Sequence, residues 1–190
     1  MGFEGELGVL PPVGFFDPLG TLSTEPSAFS VHRYLGLSKT ADEAKFRRWR
    51  TLEVKHGRVA QAAVIGYLVQ EVARFPGYLS PSAGLKFTDV PNGIAAIGAV
   101  PFLGWLQIWG FVGFLEQSIF KQDDDKAPGD HGYGVTFLKE NYNVDLEPKL
   151  DELRTKELQN GRLGMLAIME LLTHDVAKPA GEGLFVLHHF

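Results

Sequence analysis

The chain alternates between stretches of charge and stretches of almost pure hydrocarbon, and the order in which they come predicts three helices. From about residue 42 to 74 the first half is basic, with Lys45, Arg47, Arg48, Arg50 and Lys55. The second half, Val59 to Val69, is apolar nearly all round. Thr40 or Asp42 supplies an N-cap, Asp42 and Glu43 put acid at the start, and Phe75-Pro76-Gly77 supplies the stop. A helix that changes character in this way reads as one that leaves an interface and enters a bilayer. Residues 75–92, rich in Pro, Gly and Ser, read as loop. Gly93 to Leu115 then carries one polar side chain, Gln107, in 23 residues. That reaches the roughly 20 apolar residues needed to span about 30 Å of hydrocarbon. A second helix is predicted over 93–120, with Pro101 either kinking it or marking a start near Phe102. Asp123-Asp124-Asp125 and Pro128-Gly129-Asp130 end it in water. After a polar stretch to Glu147, Pro148 occupies the first-turn position that proline favours and opens a third helix over 148–175. Its apolar part, Leu163 to Leu172, includes Glu170, so only the middle segment passes a hydropathy test by itself.

The ends are less regular. Residues 1–42 hold no helical period, but Asp17-Pro18-Leu19-Gly20 fits a type I turn. Beside it, Phe15, Phe16 and Leu19 either sit exposed on that turn or cap an apolar surface supplied from elsewhere. The stretch Gly183 to Phe190 is a short amphipathic piece suited to a membrane surface or to local packing.

A repeated phrase organises the outer two helices. Glu53-Val-Lys-His56-Gly57-Arg58 recurs 104 residues later as Glu157-Leu-Gln-Asn160-Gly161-Arg162, and the frame extends back to Arg50-Thr51 against Arg154-Thr155. At about 100° per residue, Glu53 and His56 lie roughly 60° apart on one face, whereas Arg58 lies about 140° round from Glu53. The economical partner for each arginine is the glutamate of the other copy. Crossed pairs of Glu53 with Arg162 and Glu157 with Arg58 are therefore expected, with the first and third helices related by a pseudo-twofold axis. An unpaired charge deep in a bilayer costs about 2.5 to 3.5 kcal/mol on insertion scales, so the outer helices become spans only as neutralised pairs. Gly57 and Gly161 would let the two backbones meet.

Composition narrows the chemistry. At 190 residues the chain suits one domain. A net charge of −5 argues against a nucleic-acid partner, which needs a basic face. With no cysteine there are no disulfides, thiolate metal sites or thiol nucleophiles. The first six residues show neither a secretory pattern nor the Ser or Thr that a myristoylation signal places at position 6. Residues 31–50 and 121–149 hold ten Lys or Arg, against three in 74–86 and the C-terminal tail, which puts the N-terminus on the side from which insertion occurs.

Three readings fit the repeated phrase. In a soluble di-metal helical-bundle enzyme, Glu-x-x-His motifs hold two ions, but here Asn160 replaces the second His and each phrase carries an arginine. In an ion-pair clasp, His56 is a satisfied interior histidine. In the third, the side chains are single axial ligands to magnesium ions already chelated by a macrocycle, each with one open position.

Taken together, these residues resemble the light-harvesting chlorophyll-binding proteins. The resemblance rests on Glu-x-x-His-Gly-Arg and Glu-x-x-Asn-Gly-Arg at the starts of the first and third spans, the Phe16-Asp17-Pro18-Leu19-Gly20 arm and the three-span layout. The Phe75-Pro76-Gly77-Tyr78-Leu79-Ser80-Pro81 loop and the run from Gln107-Ile108 to Glu116 are most similar to the chlorophyll a/c branch with peridinin or fucoxanthin. The resemblance covers roughly residues 6–176. It implies an all-α membrane protein of three transmembrane helices, the first and third crossed, with an irregular N-terminal arm and a short amphipathic C-terminal segment. Its function would be absorption of light and transfer of excitation energy to a photosystem, with no catalytic residue; a photoprotective quencher is the alternative within the same fold.

The same resemblance implies chlorophyll ligands at Glu53, His56, Glu157 and Asn160, with Arg58 and Arg162 as the crossed partners. It adds His174, fourteen residues after Asn160, and in the middle span Gln107 and Glu116, the latter equally a solvated cap. The internal repeat maps His174 onto Gln70. Phe16, Asp17 and Pro18 become arm contacts to a carotenoid. Magnesium enters only as chlorophyll's own ion. The implied cofactors are chlorophyll a, chlorophyll c and carotenoids, peridinin or fucoxanthin with a diadinoxanthin-type companion. Implied partners are thylakoid lipids, neighbouring antenna proteins and the core of photosystem I or II, in the plastid thylakoid membrane with the N-terminus stromal. Two features depart from the family pattern. Gly164 and Glu170 interrupt the third span, and no second Asp-Pro-Leu-Gly precedes it, although Gly132-Tyr133-Gly134 could serve a carotenoid head group.

Overall fold

A computed structural model describes residues 3–16, 43–123, 125–133 and 149–177. Asp17, Pro18, Asp42, Gly134, Pro148 and the 183–190 segment lie outside them. The described elements are helix α1 (Glu43–Val72), a hairpin of β1 (Tyr78–Ser80) and β2 (Leu85–Lys86), short helix α2 (Ala96–Ala99), helix α3 (Phe102–Ser118) and helix α4 (Leu150–Ala177). Two compact units share them: Met1–Lys55 with Gln122–Asn160, and His56–Lys121 with Gly161–Phe190.

In the first unit the N-terminal arm is anchored by its first residues. Phe3, in a 3-10 turn with Glu4 and Gly5, stacks on Phe46 of α1 with ring centroids 4.3 Å apart and planes 15° from parallel. Gln159 of α4 donates to the Gly8 carbonyl at 3.1 Å, and a β-bridge joins Leu10 to Gly14. Of the two alternatives for Phe16, exposure is the one realised, at 74%, and it is Phe3 that packs against α1. Val54 and Leu158 are buried in this unit. The loop after α3 is self-supported: Gln122 donates to the Ala127 carbonyl and accepts from the Gly129 amide, while Arg47 of α1 donates to the Lys126 carbonyl.

In the second unit the outer halves of α1 and α4 meet at glycines. A Cβ on Gly57 would stand 2.8 Å from the Gly161 Cα, so no side chain fits at that approach. Gly164, noted above as an interruption of the third span, lies against Gln61, whose Cγ would be 3.0 Å from an added Cβ. Ala60 and Tyr67 are buried on the same stretch of α1.

The region 75–92, expected as plain loop, contains the hairpin, with Tyr78 opposite Lys86 and Ser80 opposite Leu85. Gly77 and Gly84 adopt φ of +110° and +65°, conformations that glycine enters without a Cβ penalty. Arg74 fastens the region to the end of α1. Its guanidinium donates to the carbonyls of Phe87, at 3.0 Å, and Val90, and to the Asn92 side chain.

The middle segment is not the single helix expected over 93–120. It breaks at Pro101, and Gly93–Ala99 and Phe102–Ser118 are bent by 112°. Of the two outcomes the proline allowed, helix initiation at Phe102 is the one realised. Pro101 has no N–H to offer the Ile97 carbonyl, and it drives Val100 to an extended φ of −77° and ψ of 128°. The Ile97 carbonyl is claimed instead by the Trp105 indole N–H at 3.1 Å. Seventeen residues at about 1.5 Å each give α3 a length of roughly 26 Å, short of the ~30 Å of a hydrocarbon core. Among the described residues no single helix is long and apolar enough to cross a membrane; the bent pair meets the criterion of length and composition together.

The apolar side chains of these helices face outward. Phe102 is 78% and Trp109 74% exposed on α3, and Val59, Ile65 and Val69 on α1 and Leu163, Leu166 and Met169 on α4 are exposed as well. Water is a poor solvent for such a surface, and hydrocarbon or flat aromatic molecules are good ones.

Candidate functional site

The first phrase sits where α1 changes from basic to apolar. Glu53 is half-buried and accepts from Arg50 Nη1 at 2.8 Å, one helical turn back. Arg50, its side chain only 12% exposed, also lies over the Phe46 ring at 5.1 Å. The sequence carries this in-helix spacing as Arg50-x-x-Glu53 and repeats it as Arg154-x-x-Glu157, beside the competing arginine after each glycine. In the second copy Arg154 lies 4.0 Å from Asp151. Glu157 is half-buried and, with Arg50 and Arg154, borders a cavity of about 770 Å³ whose apolar wall includes Phe3, Phe46, Val54 and Leu158.

Beyond each glutamate the pattern is the same. Gly57 and Gly161 are buried, while His56 and Asn160, one residue earlier, are exposed. Helical rotation of about 100° per residue turns the side chain before each glycine away from the glycine contact. His56 has exposed Leu52 four residues before it and exposed Val59 three after it; Asn160 has exposed Leu163 three after it. Arg58 is exposed and Arg162 half-buried.

Gln107 and Glu116 are exposed on α3, Gln70 lies near the end of α1 and His174 near the end of α4, both exposed. Gln107, Glu116 and Gln70 share a local environment. Gln107 stands between exposed Leu103 and Phe111, with Gly110 one turn on. Gly113 lies one turn before Glu116, and Gly66 one turn before Gln70. At all three glycines an added Cβ would meet nothing within 4 Å. Gln107, Glu116 and Gln70 therefore each project beside a low spot on their helix.

This donor set suits a ligand that brings its own metal. Among the described residues no group of three or more His, Asp or Glu side chains could hold a metal ion, so the di-metal alternative finds no donor cluster there. Separate oxygen or nitrogen donors, each flanked by exposed apolar side chains, match a flat apolar macrocycle whose magnesium lacks one axial ligand.

Other residues that shape the region were not apparent from the motifs. Arg74 gathers the loop carbonyls. Asp175, beside His174, accepts the backbone N–H of Ile94 at 2.6 Å.

Comparison with known proteins gives a consistent picture. Residues 3–176 match the family model described as chlorophyll A-B binding protein. The chain is 40% identical over 175 residues to the fucoxanthin-chlorophyll a-c binding protein D, chloroplastic, of Macrocystis pyrifera, covering 92% of this chain and 87% of that one. It is 39% identical over 178 residues to fucoxanthin-chlorophyll a-c binding protein B, chloroplastic, of Phaeodactylum tricornutum, covering 92% and 80% respectively.

Proposed function

The chain belongs to the chlorophyll A-B binding protein family, a helical membrane fold, and from that premise we propose that it is a photosynthetic light-harvesting antenna binding chlorophylls a and c and fucoxanthin. The observation that carries the reading is the arrangement of donors. His56, Asn160, Gln70, Gln107 and His174 are all exposed, and His56, Asn160 and Gln107 have exposed apolar side chains within one turn of them, which supports binding of one pigment per donor.

Chlorophyll and carotenoid, when bound, supply absorption and excitation transfer; the family is non-enzymatic. What the chain supplies is position. An axial donor fixes where a ring's centre lies, and the exposed leucines, valines and phenylalanines on either side fix the ring's tilt by excluding other poses. Open glycines such as Gly66 and Gly110 let a ring approach the helix closely. Glu53, as an anionic donor, keeps its charge when it ligates a neutral macrocycle. A cation must balance it, and Arg50 at 2.8 Å is one such cation.

Three spans, formed by α1, by the bent pair of α2 and α3, and by α4, belong to the same proposal, with thylakoid lipids around them, the N-terminus stromal, and neighbouring antennae or a photosystem core as partners. The crossed pairing of Glu53 with Arg162 and Glu157 with Arg58 rests on the sequence repeat. Reconstitution of Arg162→Leu with its full pigment complement would overturn that pairing.

Purification in detergent with an absorption spectrum and extraction of the bound pigments tests the function directly. Chlorophyll a and c bands with a blue-green carotenoid shoulder are expected. A colourless protein that needs no detergent would end the antenna reading.

A further inference from the structure

One carboxylate ties the start of the middle segment to the end of α4. The 3-10 turn Gly93–Ala95 begins with backbone N–H groups that have no partner within the turn. Asn92, at the capping position, makes no side-chain cap bond, because its side-chain oxygen is taken by Arg74. The cap comes from 81 residues away: Asp175 Oδ2 accepts the Ile94 N–H at 2.6 Å.

The backbone is shaped to admit this contact. Gly93 adopts φ of +69°, and a Cβ there would collide with the Asp175 carboxylate and stand 2.5 Å from the Tyr67 hydroxyl. The Tyr67 hydroxyl is buried beside the same Asp175 carboxylate. Three elements, the end of α1 through Tyr67, the entry to the middle segment through Gly93 and Ile94, and the end of α4 through Asp175, therefore meet at one point. Two candidate ligands adjoin it. His174 is the residue before Asp175, and Gln70 lies one turn after Tyr67.

We propose that Asp175 is a positioning residue for pigment binding: by capping Ile94 it fixes the end of α4 and holds His174 at the angle and depth its chlorophyll requires. The inference rests on the reading of His174 as a chlorophyll ligand. A carboxylate held by a backbone amide cannot swing with its helix end, so the neighbouring imidazole loses its freedom as well. Gln70, one turn from Tyr67, is steadied by the same joint.

The test is reconstitution of full-length variants with chlorophyll a, chlorophyll c and fucoxanthin, reading chlorophyll per polypeptide and visible circular dichroism. His174→Leu is expected to lose one chlorophyll. Asp175→Ala is expected to lose the same one, with the same change in the dichroism. Asp175→Asn, which keeps an acceptor oxygen for the Ile94 N–H, is expected to retain it. If Asp175→Ala does not reconstitute, Ile94→Pro removes the bond from the donor side at a first-turn position where proline is tolerated, and the same loss is expected. Full chlorophyll and unchanged dichroism in Asp175→Ala, or in Ile94→Pro, would overturn the inference while His174→Leu still loses its pigment. Loss in Asp175→Asn equal to that in Asp175→Ala would overturn it too, since the acceptor would not be what matters. His174→Leu with its full complement would remove the ligand reading and this inference with it.

Discussion

Gly57 and Gly161 approach backbone to backbone, each leaving no room for a Cβ on the other, at 2.8 Å and 3.0 Å from the facing Cα. Glycine inside a helix is destabilising by roughly 0.5–1 kcal/mol relative to alanine, so its presence at both positions has to be offset by the close packing it permits. Gly161→Ala should therefore lower stability by about 1–3 kcal/mol through overpacking, despite the gain in helix propensity. Gly98→Ala, where an added Cβ meets nothing within 4 Å, should be neutral or slightly stabilising. Thermal unfolding of the pigmented protein, followed by circular dichroism, separates the two.

The exposed donors lead to a prediction about pigment count. His56→Leu and Asn160→Leu should each remove one chlorophyll and leave the fold intact, because both side chains point away from the glycine contact. Gly110→Leu should mimic Gln107→Leu by filling the open space beside the donor, although it leaves the donor itself in place. Pigment extraction against protein concentration checks all four. Retention of every chlorophyll in Gly110→Leu would show that the glycine is not part of a pigment seat.

Arg50 and Glu53 form a partly shielded pair, with side chains 12% and 28% exposed. Pairs between the surface and interior extremes fall between near zero and several kcal/mol, and coupling of about 1 kcal/mol is expected from a double-mutant cycle of Arg50→Leu and Glu53→Gln. The single change Arg50→Leu should be the more damaging of the two, since it leaves a carboxylate behind. Equal effects of the singles and strict additivity in the double would mean that Glu53 draws its stability from other contacts.

Arg74 holds the loop between α1 and the middle segment through three backbone carbonyls or side-chain oxygens drawn from Phe87, Val90 and Asn92. Arg74→Leu should release that loop, since one side chain satisfies several acceptors at once. Limited proteolysis is the measurement: cleavage between residues 75 and 92 should accelerate at least several-fold, with α1 and α4 still protected. An unchanged digestion pattern would assign the loop's order to the β1–β2 hairpin alone.

Local chemistry made much of this chain legible in advance. The change from charge to hydrocarbon along α1, and the acidic start of α4, act within a few residues and needed no tertiary contact to be read. The repeated phrase carried the resemblance to the family because its residue types and spacing are read along one helix and need no tertiary contact. Pro101 limited the middle segment to two outcomes, but the choice of helix initiation depended on Trp105 reaching the Ile97 carbonyl, a contact between side chain and backbone eight residues apart. Arg50 stands at the right spacing for Glu53, but spacing permits several partners, and packing against Phe46 selects among them. Asp175 was beyond the reach of any motif. Its partner Ile94 is 81 residues away, and no periodicity links a helix end to a backbone amide that only folding brings beside it. The sequence alone determined which residues are available as donors and which helices carry them. Tertiary structure decided which donors are exposed, where the helices touch and what holds their ends, since each depends on atoms distant in the chain arriving within hydrogen-bond or van der Waals range.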